Sequence, residues 1–251
     1  MRIVIGVLIP LLGTVVGAAC VFFMWGEMNR AVRSAMAGFA GGIMVAASVW
    51  SLLIPAIERC EGMGTIAFLP PMCGLLCGVG FLLLLDLLVP SLSEVEGETQ
   101  NPNRLTFAVT LHNLPEGMAV GAAFAGVLAG EDGITLTAAL VLAVGVAVQN
   151  VPEGAIVSMP QRSRGVSRWR AFWSGAMSGA VEPIGAAVTV LAASVIVPLL
   201  PFLLGFAAGA MLYVVVEELV PEVIGSGRAR VGNVAFILGF CLMMALDVAL
   251  G

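Results

Sequence analysis

The sequence predicts an all-α polytopic membrane protein. Eight transmembrane helices are expected, with spans 1–3 and spans 6–8 forming an inverted repeat around a central pair, spans 4 and 5. Three observations carry this reading. Of 251 residues, 60% are hydrophobic and 11% charged, and the mean hydropathy is +1.06, whereas soluble domains carry about 25% charged residues. Charged and Gly/Pro-rich breaks cut the chain into apolar runs of about 20 residues, the length that crosses a bilayer. Two pairs of segments also echo one another.

The spans run over residues 3–25, 36–57, 66–90, 104–129, 134–159, 171–195, 199–224 and 231–250, within a single transmembrane domain covering 1–251. Span 1 begins like a lipoprotein signal, with Arg2 followed by an apolar run to Cys20. The residues after Cys20, Val21-Phe22-Phe23-Met24-Trp25, stay apolar where a mature chain should turn polar, so a first spanning helix is expected instead. The connections are short and leave no room for a soluble domain.

All 11 basic residues are Arg, and their placement orients the chain. Arg30, Arg33, Arg104, Arg162, Arg164, Arg168, Arg170, Arg228 and Arg230 lie at the connections after spans 1, 3, 5 and 7; the opposite side holds Arg2 and Arg59. Nine against two predicts that the odd-numbered connections are cytoplasmic and both termini outside. The short loops and absence of a targeting sequence favour a bacterial inner membrane. The five cysteines show no CxxC spacing, and packing is the expected role of each.

The first echo pairs Phe39-Ala40-Gly41-Gly42-Ile43-Met44 in span 2 with Phe206-Ala207-Ala208-Gly209-Ala210-Met211 in span 7. These spans run in opposite directions, as an inverted repeat requires, and such repeats place a binding site between them. The second echo pairs His112-Asn113-Leu114-Pro115-Glu116-Gly117 in span 4 with Gln149-Asn150-Val151-Pro152-Glu153-Gly154 in span 5. His112 and Glu116 stand at i, i+4 on one helix face, and Gln149 and Glu153 repeat the spacing. Pro115 and Pro152 cannot donate backbone hydrogen bonds, and they free carbonyls one turn earlier, near Leu111 and Val148. Span 6 adds Glu182-Pro183.

Counted from the cytoplasmic ends, these groups fall about 6–12 residues deep, which at ~1.5 Å per residue makes one layer near the bilayer midplane. Three carboxylates, one imidazole and three amides there suit a cation site. Asn and Gln alone could bond helices together. Three glutamates at one depth, with no Arg beside them, must be protonated, hydrated or metal-bound.

HNLPEG, QNVPEG and Glu182-Pro183 resemble the ZIP family of divalent metal transporters, closest to its bacterial and organellar, GufA-like branch, and the resemblance covers nearly the whole chain. It implies an eight-helix bundle with a two-metal site between spans 4 and 5, helped by spans 2 and 6. Zinc, iron, manganese or cadmium would move toward the cytoplasm as transported substrate, with no cofactor and no enzymatic reaction. By the same resemblance His112, Gln149 and Glu153 hold the first metal, with Glu116 shared, and Asn113, Glu116, Asn150 and Glu182 hold the second. Met44 falls where some relatives bring a thioether toward the first metal, and packing explains it equally well.

The sequence departs from the family pattern at Gln149, where many members carry histidine. An amide oxygen in place of a borderline nitrogen predicts weaker zinc selectivity and tolerance of manganese or ferrous iron. Glu94, Glu96 and Glu98 replace the family's histidine cluster after span 3 and read as a solvated loop. Asp86, Glu217, Glu218 and Glu222 are candidates for an exit path, and Glu58 and Glu61 lie near the outer mouth. Expected partners are divalent cations and the lipid bilayer, with a homodimer as a further possibility and no nucleic acid. An intramembrane metalloprotease would need HExxH, and a single histidine counts against it; a passive metal channel could use these same ligands.

Overall fold

The computed structural model describes residues 2–23, 28–88, 102–130, 134–192 and 197–250, and these form helices and turns without a strand. Helix α1 (Arg2–Ala19) continues as a 3-10 turn, Cys20–Phe23. Helix α2 (Arg30–Ala47) passes through a π-helical turn, Ser48–Leu53, into α3 (Ile54–Glu58). After a 3-10 segment, Glu61–Ile66, come α4 (Leu69–Leu88), α5 (Pro102–Ala129), α6 (Leu136–Ser163), α7 (Arg168–Ser178) and α8 (Val181–Leu191). A 3-10 turn, Val197–Leu199, leads to α9 (Leu200–Val214), whose π-helical turn Val215–Leu219 feeds α10 (Val220–Gly225). Helix α11 (Ala229–Leu250) closes the described chain.

Local chemistry sets several boundaries. Asn29, Thr135 and Ser167 are extended residues whose side chains accept from backbone N–H groups in the first turns of α2, α6 and α7. Gly165, at φ +88°, makes the reversal between α6 and α7.

One expectation needs correction. Span 6, expected as one helix over 171–195, is broken at Gly179 and Ala180 into α7 and α8. The break places Pro183 third in α8, where its missing N–H is one of those no helix can pair. Spans 36–57 and 199–224 each contain a π turn. In both, the residue before a proline bonds five residues back: Ile54 N–H to the Val49 carbonyl ahead of Pro55, and Val220 N–H to the Val215 carbonyl ahead of Pro221. A wider turn gives the proline ring space that an α-helical turn would deny it.

Among the described residues five helical stretches are long and apolar enough to cross a membrane: Arg2–Phe23, Arg30–Glu58, Leu136–Ser163, Leu200–Gly225 and Ala229–Ala249. Large apolar side chains such as Leu12, Leu76, Leu83, Val188 and Ile237 point outward. In water such a surface would aggregate, and in a bilayer it is the solvated face. The molecule is a polytopic membrane protein. Inside, Ile43, Met44, Val120, Phe124, Leu142, Leu204, Met211 and Met243 join α2, α5, α6, α9 and α11 in one apolar core.

The helices meet most extensively as four pairs: α2 with α11, α1 with α6, α4 with α9, and α5 with α8. Glycine brings backbone onto backbone in each. A Cβ on Gly42 would overlap the Phe236 carbonyl, and one on Gly209 the Leu75 carbonyl. A Cβ on Gly154 would overlap the Thr14 carbonyl, and one on Gly117 the Glu182 carbonyl. Gly42 and Gly209 hold the same place in the first echo, and Gly117 and Gly154 the same place in the second.

Candidate metal centre

Helices α5 and α6 run unbroken through Pro115 and Pro152. Their polar phrases face each other and the first turn of α8. Asn113, Gln149, Asn150 and Glu182 are completely buried, and Glu116 and Glu153 are 2% and 7% exposed. The close approach of Gly117 to Glu182 lets α8 bring its carboxylate against α5.

Hydrogen bonds knit the cluster on one side. Gln149 Nε2 donates to Glu116 Oε1 at 2.7 Å. Asn113 Nδ2 donates to Glu182 Oε1 at 3.2 Å and to the Ser178 carbonyl at 3.1 Å. The Thr14 hydroxyl on α1 donates to the same Glu182 oxygen at 2.8 Å. On the other side acceptors remain: Asn113 Oδ1, Glu116 Oε2, Gln149 Oε1, Asn150 Oδ1 and Glu182 Oε2 are buried and accept no hydrogen bond. Five such oxygens gathered from three helices call for a partner, because a buried polar group without one is costly. Oxygen sets of carboxylates and amide carbonyls are the ligands of hard and borderline divalent cations.

The structure thus brings together six of the residues singled out in the sequence: Asn113, Glu116, Gln149, Asn150, Glu153 and Glu182. The backbone of His112 lies in α5, and its side chain falls outside the described residues, as does that of Asp86; Glu94, Glu96 and Glu98 lie wholly outside them. Among the described residues no group of three His, Cys, Asp or Glu side chains is near enough to hold a metal ion by itself. Met44 is fully buried in the apolar core, and its carbonyl accepts from Ser48 at 2.7 Å. Glu217 is exposed and Glu218 intermediate. Glu222 is paired with Arg33, whose Nη2 reaches its Oε2 at 2.6 Å while Nε meets the other oxygen.

Sequence reasoning missed Thr14 and a second polar cluster. Thr14 is the only hydroxyl in residues 1–23 and lies between Gly13 and Gly17, a pattern that could have flagged it. The second cluster joins α5, α6 and α7: Gln161 Nε2 donates to Thr106 at 3.0 Å and to Ser174 at 2.7 Å. Its signal was a Gln with two hydroxyls at the arginine-flanked ends of spans 4–6.

The chain is similar to known proteins over most of its length. Residues 103–247, more than half the chain, match the family described as ZIP Zinc transporter. Human zinc transporter ZIP11 is 34% identical, across 95% of this chain and 94% of its own length. Zinc transporter GufA of Myxococcus xanthus is 37% identical, across 96% of each chain. Zinc transporter ZIPB of Bordetella bronchiseptica is 36% identical, across 89% of this chain and 74% of its own. By the family match and these full-length likenesses, the chain belongs to the ZIP zinc transporter family.

Proposed function

We propose that this protein carries divalent metal cations, zinc foremost, across the membrane through a site for two metals between α5 and α6. The observation that carries the proposal is the set of five buried, unpartnered oxygens on α5, α6 and α8. His112, Gln149 and Glu153 would serve one metal and Asn113, Asn150 and Glu182 the other, with Glu116 between them. Metal is cargo here, so ligands must hold it well enough to select and loosely enough to release. An amide and carboxylate set without thiolate suits that compromise better than a structural zinc site would. The family's members are transporters, which sets the metalloenzyme reading aside.

The proposed architecture has eight spans, with α2–α3, α7–α8 and α9–α10 each counted as one crossing. Its inverted repeat is supported by the paired glycine contacts. Gly42 on Phe236 and Gly209 on Leu75 make the α2–α11 and α4–α9 contacts counterparts. Gly154 on Thr14 and Gly117 on Glu182 do the same for α1–α6 and α5–α8. The two π turns, each followed by a proline, fall at matching places as well. The arginine-rich ends define the cytoplasmic side, and the inward direction of transport rests on the family likeness. Metal and protons compete for these carboxylates and the imidazole, so protonation would favour release.

The test is uptake of zinc, manganese, iron and cadmium into proteoliposomes, with His112→Ala and Glu153→Ala beside the wild type. Saturable uptake lost in both variants is the expected result, and counterflow would separate a carrier from a channel. A wild type that moves no divalent metal would overturn the proposal.

A further inference from the structure

Glu182 offers its two carboxylate oxygens to different neighbours. Oε1 accepts from the Thr14 hydroxyl at 2.8 Å and from Asn113 Nδ2 at 3.2 Å. Oε2 is buried and accepts nothing. Thr14, Asn113 and Glu182 are all completely buried, so neither donor can be exchanged for water. The other amide hydrogen of Asn113 is held by the Ser178 carbonyl at 3.1 Å, which fixes that side chain too. Two donors converging on one oxygen set the rotation of the carboxylate, and the opposite oxygen is thereby aimed away from α1.

Thr14 has a defined relation to Glu182. Gly154 abuts the Thr14 carbonyl, as Gly117 abuts the Glu182 carbonyl. Gly154 and Gly117 close the two copies of Asn-x-Pro-Glu-Gly, so Thr14 stands on α1 where Glu182 stands on α8. One copy carries a carboxylate at this place, and the other carries a hydroxyl that reaches across to orient it. Gly179 keeps the corridor open, since a Cβ there would come within 2.7 Å of Thr14 Oγ1 and 2.8 Å of Glu182 Oε1.

We infer that Thr14 is a positioning residue for metal binding. Its hydroxyl holds Glu182 as a ligand with one oxygen committed to the protein and one presented to the cation, making α1 part of the site. The inference rests on the metal-carrying role proposed above. It assigns a function to a helix that supplies none of the proposed ligands.

The experiment compares wild type, Thr14→Val and Thr14→Ser in reconstituted zinc uptake, alongside zinc-dependent thermal stabilisation of the purified proteins. Valine keeps the branched shape and removes the donor. A hydrogen bond to a charged group supports about a tenfold change in binding. We therefore expect Thr14→Val to raise KM for zinc about tenfold, with a smaller fall in maximal rate, and to move the zinc concentration that stabilises the protein by a similar factor. Thr14→Ser should restore both. Where Thr14→Val does not accumulate, Thr14→Ala is held to the same KM criterion. An unchanged KM, a loss of thermal stability with KM unmoved, or a failure of serine to restore KM would each overturn the inference while leaving the transport reading intact. A wild type that neither binds nor carries a divalent cation would overturn both.

Discussion

Gly41 and Gly42 are neighbours on α2, both buried, and they make opposite predictions. Alanine is favoured over glycine in a helix interior by about 0.5–1 kcal/mol, a gain common to both positions. At Gly41 a new Cβ would meet only the Phe236 ring at 3.5 Å and Leu219 Cδ1 at 3.6 Å, ordinary contacts between side chains. At Gly42 it would overlap the Phe236 carbonyl and come within 2.8 Å of the Phe240 nitrogen. Those atoms belong to the backbone of α11 and cannot rotate away, so α2 and α11 must separate. Overpacking of this kind costs about 1–3 kcal/mol, more than the propensity gain. Gly41→Ala should therefore be neutral or stabilising and Gly42→Ala destabilising, with about 2 kcal/mol between them. Gly209→Ala, whose Cβ would overlap the Leu75 carbonyl, should behave as Gly42→Ala does. The assay is the fraction of protein surviving a temperature series in detergent, read as the monodisperse peak on size-exclusion chromatography. If Gly42→Ala survives heating as well as Gly41→Ala, the backbone contacts are not as tight as described.

Two further outcomes are expected. Gln149→His should narrow the range of cations taken, because at the proposed site an imidazole nitrogen would replace an amide oxygen that tolerates harder metals; competition of manganese and ferrous iron against labelled zinc should weaken, and unaltered competition would refute this. Arg33→Ala should change thermal stability by less than about 1 kcal/mol, because the Arg33 and Glu222 side chains are 41% and 23% exposed and solvent screens the pair; a larger loss in the same heating assay would show that lipid, not water, surrounds it.

The repeated Asn-x-Pro-Glu-Gly was legible because polar residues in an apolar run have few inexpensive explanations. Its neighbour Thr14 was not. A lone hydroxyl in a membrane helix usually bonds a carbonyl of its own helix, as Ser48 bonds Met44 and Thr189 bonds Gly185 here. The one local mark, the flanking Gly13 and Gly17, signals a close helix contact without naming a partner 168 residues away. The break before Glu182 was half visible: Pro183 announces a disturbance, but whether a helix kinks there or restarts depends on what packs against it. The echo of residues 39–44 and 206–211 pointed to related helices without revealing their π turns, which follow from fitting a proline into a continuous rod. Met44 stayed open in the sequence: a thioether is chemically suited to a soft cation, and this one lies buried in the apolar core, where packing also explains it.

The contact of Gly117 with the Glu182 carbonyl has a mechanical meaning. Glu116 is the residue before Gly117, so the separation of the α5 and α8 carboxylates is set by main chain resting on main chain. Side-chain rotamers can trim that gap but cannot redefine it. A site built this way has a lower limit to its width, in contrast to a jaw that closes on whatever enters it. For the proposed site, the helices cannot close further on an undersized ion, which gains too few oxygens to compensate for its lost water.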